Sequence, residues 1–419
     1  MQTFLPQDFL ETAKGKQADA ILRSCVHCGF CTATCPSYQI LGNELDSPRG
    51  RIYLIKSLLE GEQATDKTLL HLDRCLSCNA CETTCPSGVE YHQLLAIGRE
   101  RAEQTIGRPW HARLTRWLLR FVMSRRALFT PLLLCGQLFR PLLPTSLKTL
   151  IPPKQSIRPH KTSPQTRKMI LLEGCVQPAL SPSINNATRR VLQRLGIEAV
   201  IARREGCCGA LSYHLNAQQE GLDFARRNID ALWSLVEQGA ETVISTASGC
   251  GAFTKEYGEL LADDPAYADK AKQITAMTRD IAEVLQQEDI SQLRIHSTAK
   301  TAFHCPCTLQ HAQGLGTSTE SLLKALGFNL TAIADAHLCC GSAGTYSILQ
   351  PKISQQLKQR KITALEAGTP EQIVSANIGC ITHLSSGTEK PVKHWIELLE
   401  ESLAPGWELT ACSKSIQST

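Results

Sequence analysis

The rhythm of apolar and polar positions changes along the chain. Near the start it is helical: "DSPRGRIYLIKSLLEG" predicts an amphipathic helix opened near Pro48 and closed at Gly61. In the middle, Arg108–Pro144 interleaves Trp, Leu and Phe with Arg, and its longest uncharged piece, Ala127–Phe139, is 13 residues long and contains Pro131. Such a basic amphipathic stretch suits a helical connector, a membrane interface or an acidic partner. From there on, strand-like and helical runs alternate. "KMILLEGC", "IEAVIA" and "ETVISTASGC" read as strands, separated by the helices "NNATRRVLQRLG" and "AQQEGLDFARRNIDALWSLVEQG". "KTAFHCPC", "FNLTAI" and "EQIVSANIGC" repeat the strand order, with "SLLKALG" and "SQQLKQRKITALEAG" as helices. This is α/β patterning with a mostly parallel sheet.

The repetition extends to the cysteines. Cys175, Cys207, Cys208 and Cys250 recur as Cys307, Cys339, Cys340 and Cys380, at an offset of 132 that falls to 130 at the last. Two duplicated modules of about 125 residues follow. Each cysteine falls at or just after a strand end, where open α/β sheets gather functional groups. The Cys-Cys pairs precede Gly209 and Gly341, which let the backbone turn tightly. An earlier pair of motifs has its own period. "CVHCGFCTATCP" (Cys25, Cys28, Cys31, Cys35) and "CLSCNACETTCP" (Cys75, Cys78, Cys81, Cys85) are offset by 50 residues.

A chain of 419 residues exceeds one ordinary core and predicts two or three domains. Its 19 cysteines change the picture most. The start carries no continuous apolar run of the secretory type, so a cytoplasmic protein is expected, where thiols stay reduced and clustered cysteines bind metals. Zinc uses four ligands per ion and fits two sets of four, each followed by proline, poorly. Aromatics make up only 5% of residues, and no helix-turn-helix or RNP pattern occurs, so a nucleic-acid partner is not expected. Charge is uneven: Arg101–Lys168 holds 14 Lys and Arg against one acid, Glu103, while the whole chain is +5. Its end, Ile151–Lys168, reads as a linker rich in Pro, Ser and basic residues. No run of 18 uncharged apolar residues occurs.

The paired motifs resemble those of two-cluster bacterial ferredoxins, in which the fourth cysteine ligates the other cluster. The resemblance implies one [4Fe–4S] cluster on Cys25, Cys28, Cys31 and Cys85 and a second on Cys75, Cys78, Cys81 and Cys35. The tandem modules resemble the cysteine-rich (CCG) domains of heterodisulfide reductases. Together the parts resemble the iron–sulfur subunits of flavin-dependent 2-hydroxyacid and glycerol-3-phosphate dehydrogenases, bacterial glycolate oxidase subunits most closely. The carrying stretches include "LRSCVHCGFCTATCPSYQ", "HLDRCLSCNACETTCPSGVEYH", "CCGALSYHLNAQ", "FHCPCTLQHAQ" and "HLCCGSAGTYS". The expected fold is α+β overall: a helical two-cluster module (1–100), a basic connector and linker (101–168), CCG modules at 169–295 and 296–405, and a tail (406–419).

The resemblance implies an electron-transfer subunit, inactive alone, carrying electrons from FAD on partner subunits of the same complex towards quinone or another acceptor. Peripheral contact with the inner membrane is part of that expectation. The alternatives are a subunit of a D-lactate or glycerol-3-phosphate dehydrogenase, a catalytic CCG disulfide reductase, or a redox-sensing protein. One departure stands out. CCG modules end in C-x2-C, and here Ala247 and Asn377 occupy the first place of that pair. Four cysteines per module still suffice for a further cluster or zinc. His27 lies between two cysteines of the first motif, as a hydrogen-bond donor to sulfur or a plain surface histidine. His304, His311 and His337 lie near the second module's cysteines, as proton or quinone groups or as ordinary histidines. Cys135, Cys305 and Cys412 have no counterpart in the repeat and are expected bystanders.

Overall fold

The computed structural model describes all residues except 143, 145–147, 149–150, 156–163, 296 and 404–419. The whole tail, Cys412 included, and much of the expected linker lie outside the described residues.

The N-terminal part is helical. Thr12 accepts from Gly15 N and caps helix Ala13–Ser24, and Ser47 accepts from Gly50 N to cap helix Pro48–Leu59, with Pro48 in the first turn. The second helix is the one its periodicity predicts. It buries Ile52, Ile55, Leu58 and Leu59 in a core shared with Leu94 and Leu95 of helix Tyr91–Ile106. Gly98 allows that contact, since a Cβ there would sit 2.5 Å from Ile55 Cγ1.

The C-terminal part holds two four-stranded sheets, both fully parallel. The first runs β2-β1-β3-β4, with β1 at Arg167–Leu171, β2 at Ile197–Val200, β3 at Val243–Ser245 and β4 at Thr278–Asp280. The second runs β6-β5-β7-β8, with β5 at Lys300–His304, β6 at Asn329–Leu330, β7 at Gln372–Ser375 and β8 at Val392–His394. The edge strands β4 and β8 are additions to the expected pattern. At three residues each, they are too short to show an alternation.

Strand alternation sends successive residues to different cores. Met169 and Leu171 enter one cluster, whereas Ile170 and Leu172 enter another. Phe303 and Val374 of the second sheet join Met169 and Leu171, while Ala302 and Ile373 face a smaller core. The duplicated modules therefore bury one core between them. Polar contacts tie the same boundary: Arg190–Glu400 at 2.7 Å, His394 Nε2 to Thr246 O at 3.0 Å, and Ser248 N to Ala376 O at 3.1 Å.

The connector forms helices Trp110–Met123 and Arg126–Phe139, neither of which buries a residue. Trp110, Leu114, Trp117 and Leu118 on the first and Leu132, Leu134, Leu138 and Phe139 on the second are exposed. Its positive field is partly answered from within the chain. Arg108 and Arg116 pair with Asp73, Arg120 with Glu220, and Arg126 with Glu173. No helix among the described residues is long and apolar enough to cross a membrane.

Candidate functional site

Each short cysteine motif leaves a helix and loops; Pro36 opens the next helix after the first motif, whereas Pro86 lies in a turn before helix Tyr91–Ile106. The loops bend alike because His27 and Ser77 (φ 57° and 52°) and Gly29 and Asn79 (φ 85° and 59°) are left-handed at matching positions. These bends turn amides toward sulfur: Ser77 N donates to Cys75 Sγ at 3.4 Å. His27 is exposed, and its contribution to the loop is its backbone conformation.

Cys25, Cys28, Cys31, Cys81 and Cys85 line one cavity. Cys75, Cys78, Cys81 and Cys35 interact electrostatically as a second group. The eight cysteines of the two motifs thus lie close together, an arrangement compatible with the crossed sets that the resemblance implies. Burial pushes the Cys31 thiol up to about 11 and those of Cys78 and Cys81 well above the usual range. Buried thiols of this kind become thiolates when a metal supplies the compensating charge. Four sulfurs converging in each group is the donor set that a [4Fe–4S] cluster needs.

The two groups differ in exposure. Cys28 lies at the surface beside exposed Val26 and Phe30. Cys78 instead packs with Leu76, Cys307, Cys339, Tyr346 and Leu357, facing the second CCG module. His311 braces that boundary, with Nδ1 2.9 Å from Thr83 Oγ1 and Nε2 donating to the His337 carbonyl at 2.9 Å.

Sequence reasoning missed the polar groups behind the second set. Arg51 is fully buried and donates to His71 O (2.7 Å) and Ser37 Oγ (3.1 Å), and Ser37 Oγ lies 3.3 Å from Cys35 Sγ. Buried Asp46 balances it, meeting His71 at 2.9 Å and Arg74 at 3.0 Å. Arg99 donates to Leu72 O and Cys75 O, both at 2.8 Å. Tyr91 buries its hydroxyl against Cys75. Arg51 and Asp46 lie in "DSPRGRIYLIK", Ser37 in "LRSCVHCGFCTATCPSYQ", and His71, Arg74 and Tyr91 in "HLDRCLSCNACETTCPSGVEYH", but nothing in these stretches marks them as partners of the sulfurs.

In the first CCG module, Cys175, Cys207, Cys208 and Cys250 form a chain of sulfur contacts. Asn228 donates to Cys207 O at 3.0 Å and Tyr257 to Cys208 O at 2.6 Å, which fixes the Cys-Cys turn. Gly209 (φ 102°) follows that turn, and a Cβ there would run into the Gly221 carbonyl. Burial pushes the nearby Glu205 carboxyl up to about 8, although it accepts from Glu173 N and Gly174 N.

In the second module Cys307 and Cys339 lie 3.9 Å apart, sulfur to sulfur. Cys340 and Cys380 continue the chain. Asn377 Oδ1 accepts from Gly379 N as a helix cap, and Ala247 stands before the matching helix. Of the three bystander cysteines, Cys135 is exposed and Cys305 is half-buried beside Pro306.

Comparison with known proteins agrees with this geometry. A model of the 4Fe-4S dicluster domain matches residues 21–89, and one of the cysteine-rich domain matches residues 169–255 and 301–385. The glycolate oxidase iron–sulfur subunit of Escherichia coli (strain K12) is 54% identical over 404 residues, 96% of this chain and 99% of that protein. The chain belongs to the glycolate oxidase iron–sulfur subunit family. A probable glycolate oxidase iron–sulfur subunit of Bacillus subtilis (strain 168) is 32% identical over 90% of this chain and 91% of its own. Lactate utilization protein A of the same organism is 28% identical over 52% of this chain and 90% of its own.

Proposed function

We propose that this chain is the electron-transfer subunit of a flavin-dependent glycolate oxidase, which converts glycolate to glyoxylate. Cys25, Cys28, Cys31 and Cys85 hold one [4Fe–4S] cluster, and Cys75, Cys78, Cys81 and Cys35 hold another. Such clusters, when bound, accept and release single electrons. The chain's own groups set the conditions. Arg51 and Arg99 place positive charge and hydrogen bonds behind the second set, and apolar Val26 and Phe30 flank the exposed Cys28 as a landing surface. A partner subunit carries the FAD, and quinone is the final acceptor.

What supports this reading is the gathering of the eight motif cysteines, in a chain 54% identical over 96% of its length to a glycolate oxidase iron–sulfur subunit. Glycolate is favoured over lactate because the likeness to the lactate utilization protein covers only 52% of the chain. Peripheral attachment to the inner membrane is part of the proposal. It is supported by the exposed Trp and Leu residues of the connector beside Arg113 and Arg126.

The test is anaerobic purification of the complex, followed by iron and sulfide analysis and EPR after glycolate addition. About eight irons per chain in two clusters that glycolate reduces is the expected result. Reduction by D-lactate but not by glycolate would reassign the substrate. Reduction by neither would discard the subunit role.

A further inference from the structure

The second CCG module brings together a group of donors that cysteine counting does not reveal. A ring nitrogen of His304 and the sulfurs of Cys340 and Cys380 all lie within 4.8 Å of one another, and all three residues are buried. His304 ends β5, Cys340 follows the loop after β6, and Cys380 lies in helix Ile378–Ser385 after β7. The three thus come from neighbouring strand ends of one sheet.

His304 is held for this task. Its Nδ1 lies 2.9 Å from Ser375 Oγ on the adjacent strand. When Nδ1–H donates to that oxygen, Nε2 presents its lone pair. Nε2 is buried with no partner, although the residue is only 2% exposed. An orphan nitrogen so placed is costly unless something binds it. A hydrogen bond from the far ring nitrogen fixes the tautomer and orientation of a metal-ligating histidine, and here the Ser375 hydroxyl takes the place usually filled by a carboxylate, carbonyl or water. Lys361, buried and donating to Asp335 O (2.8 Å), lies close to Cys340 and Cys339.

We propose that His304, Cys340 and Cys380 bind one zinc-class divalent ion, independently of the electron-transfer reading. Zinc takes mixed nitrogen and sulfur ligands in a tetrahedron, at about 2.0–2.1 Å for nitrogen and 2.3 Å for sulfur. Those lengths require donors about 3.5–3.8 Å apart, a modest contraction from the arrangement described. Cys339, next in the chain to Cys340, or a water fills the fourth place. Histidine replaces the cysteine that Asn377 cannot supply, because the Asn377 side chain caps its own helix. The first module has no equivalent: Leu172 stands at the position matching His304 and points into an apolar core. The duplicated modules have therefore diverged, and only the second carries this mixed donor set.

The experiment measures zinc and iron in the full chain, purified anaerobically and dialysed against a chelator, with zinc K-edge EXAFS on the same sample. The expected result is about one zinc per chain with a first shell containing nitrogen as well as two or three sulfurs. His304→Leu, which copies the first module's residue, should lower retained zinc at least tenfold while leaving the iron content unchanged. His304→Cys should keep zinc and add a sulfur to its shell. Absence of zinc from the wild type, an all-sulfur shell, or equal zinc in His304→Leu would overturn the proposal. Should His304→Leu fail to fold, the wild-type shell still decides. Iron content and EPR read the ferredoxin-type clusters separately, so failure here leaves that reading standing.

Discussion

Tyr346 donates its hydroxyl to the Arg74 carbonyl at 2.9 Å, linking residues 272 positions apart. The bond joins the CCG half to the residue just before Cys75. Removing it with Tyr346→Phe should cost about 1 kcal/mol of docking. Amide exchange at the N-terminal end of helix Pro351–Glu366 should then speed up about fivefold. Unchanged exchange there would mean that apolar packing alone holds the boundary.

Arg51 has no exposed surface and faces the second sulfur set from behind. A unit charge several ångströms away, at an effective dielectric of about 20, is worth about 2 kcal/mol. For one electron that is on the order of 100 mV. Arg51→Gln should therefore lower the potential of the cluster on Cys75, Cys78, Cys81 and Cys35 by that order and barely shift the other. An EPR-monitored redox titration checks both at once. The variant should also be less stable by about 3–5 kcal/mol, because Asp46 loses a buried partner.

His92 and Glu256 meet where helix Tyr91–Ile106 approaches the first CCG module. Burial opposes charge on His92, but its 2.9 Å hydrogen bond to Glu82 and the Glu256 and Glu259 carboxylates carry its pKa up to about 8. Burial pushes the Glu256 carboxyl up to about 7. Both values lie above the unfolded ones, so both contributions are complete in acid and fade as pH rises. His92 loses its part between about pH 6.5 and 8, and Glu256 between about 4.5 and 7. Partial exposure of His92 keeps its share near 1 kcal/mol. Urea midpoints should fall across that range, and His92→Gln should abolish the portion above pH 6.5. A midpoint flat from pH 6 to 9 would contradict this assignment.

Phe30 is 63% exposed beside Cys28 and touches no core. Phe30→Ser should leave iron content and stability within about 0.5 kcal/mol. It should slow reduction by the proposed flavin-bearing partner several-fold. Stopped-flow absorbance of the reconstituted complex measures the rate, and an unchanged rate would move the landing surface elsewhere.

Trp117 stacks on Phe121 at 4.9 Å between ring centroids, and Arg125 lies 4.4 Å over the same ring. Trp110→Ser with Trp117→Ser should weaken binding to anionic vesicles, and rising salt should weaken it further. Co-sedimentation reads this directly. Binding indifferent to both would assign the exposed face to a protein partner.

The sequence made the cysteine spacing, the 132-residue offset and the alternation of strands and helices plain, because each is a periodic signal. Local order could not show what folding brings together from afar. Arg51 and Arg99 look like ordinary helix-surface residues until the second motif closes over them. The pairing of Arg116 with Asp73 likewise hides inside a net charge. The edge strands were too short to show alternation. His304 was visible as a residue, but its orphan nitrogen appears only once β5 and β7 lie side by side.

The burial of Cys78 against Cys307 and Leu357 has a consequence for how the protein is made. Once the second module has docked, that partly buried sulfur is less open to an assembly factor than the exposed Cys28. Iron and sulfide for the inner site are therefore expected to arrive more readily before the C-terminal half docks. The outer site, open at Cys28, can be filled or repaired in the finished protein. Biogenesis is thereby ordered in time, and oxidative damage should fall first on the site that the cell can still mend.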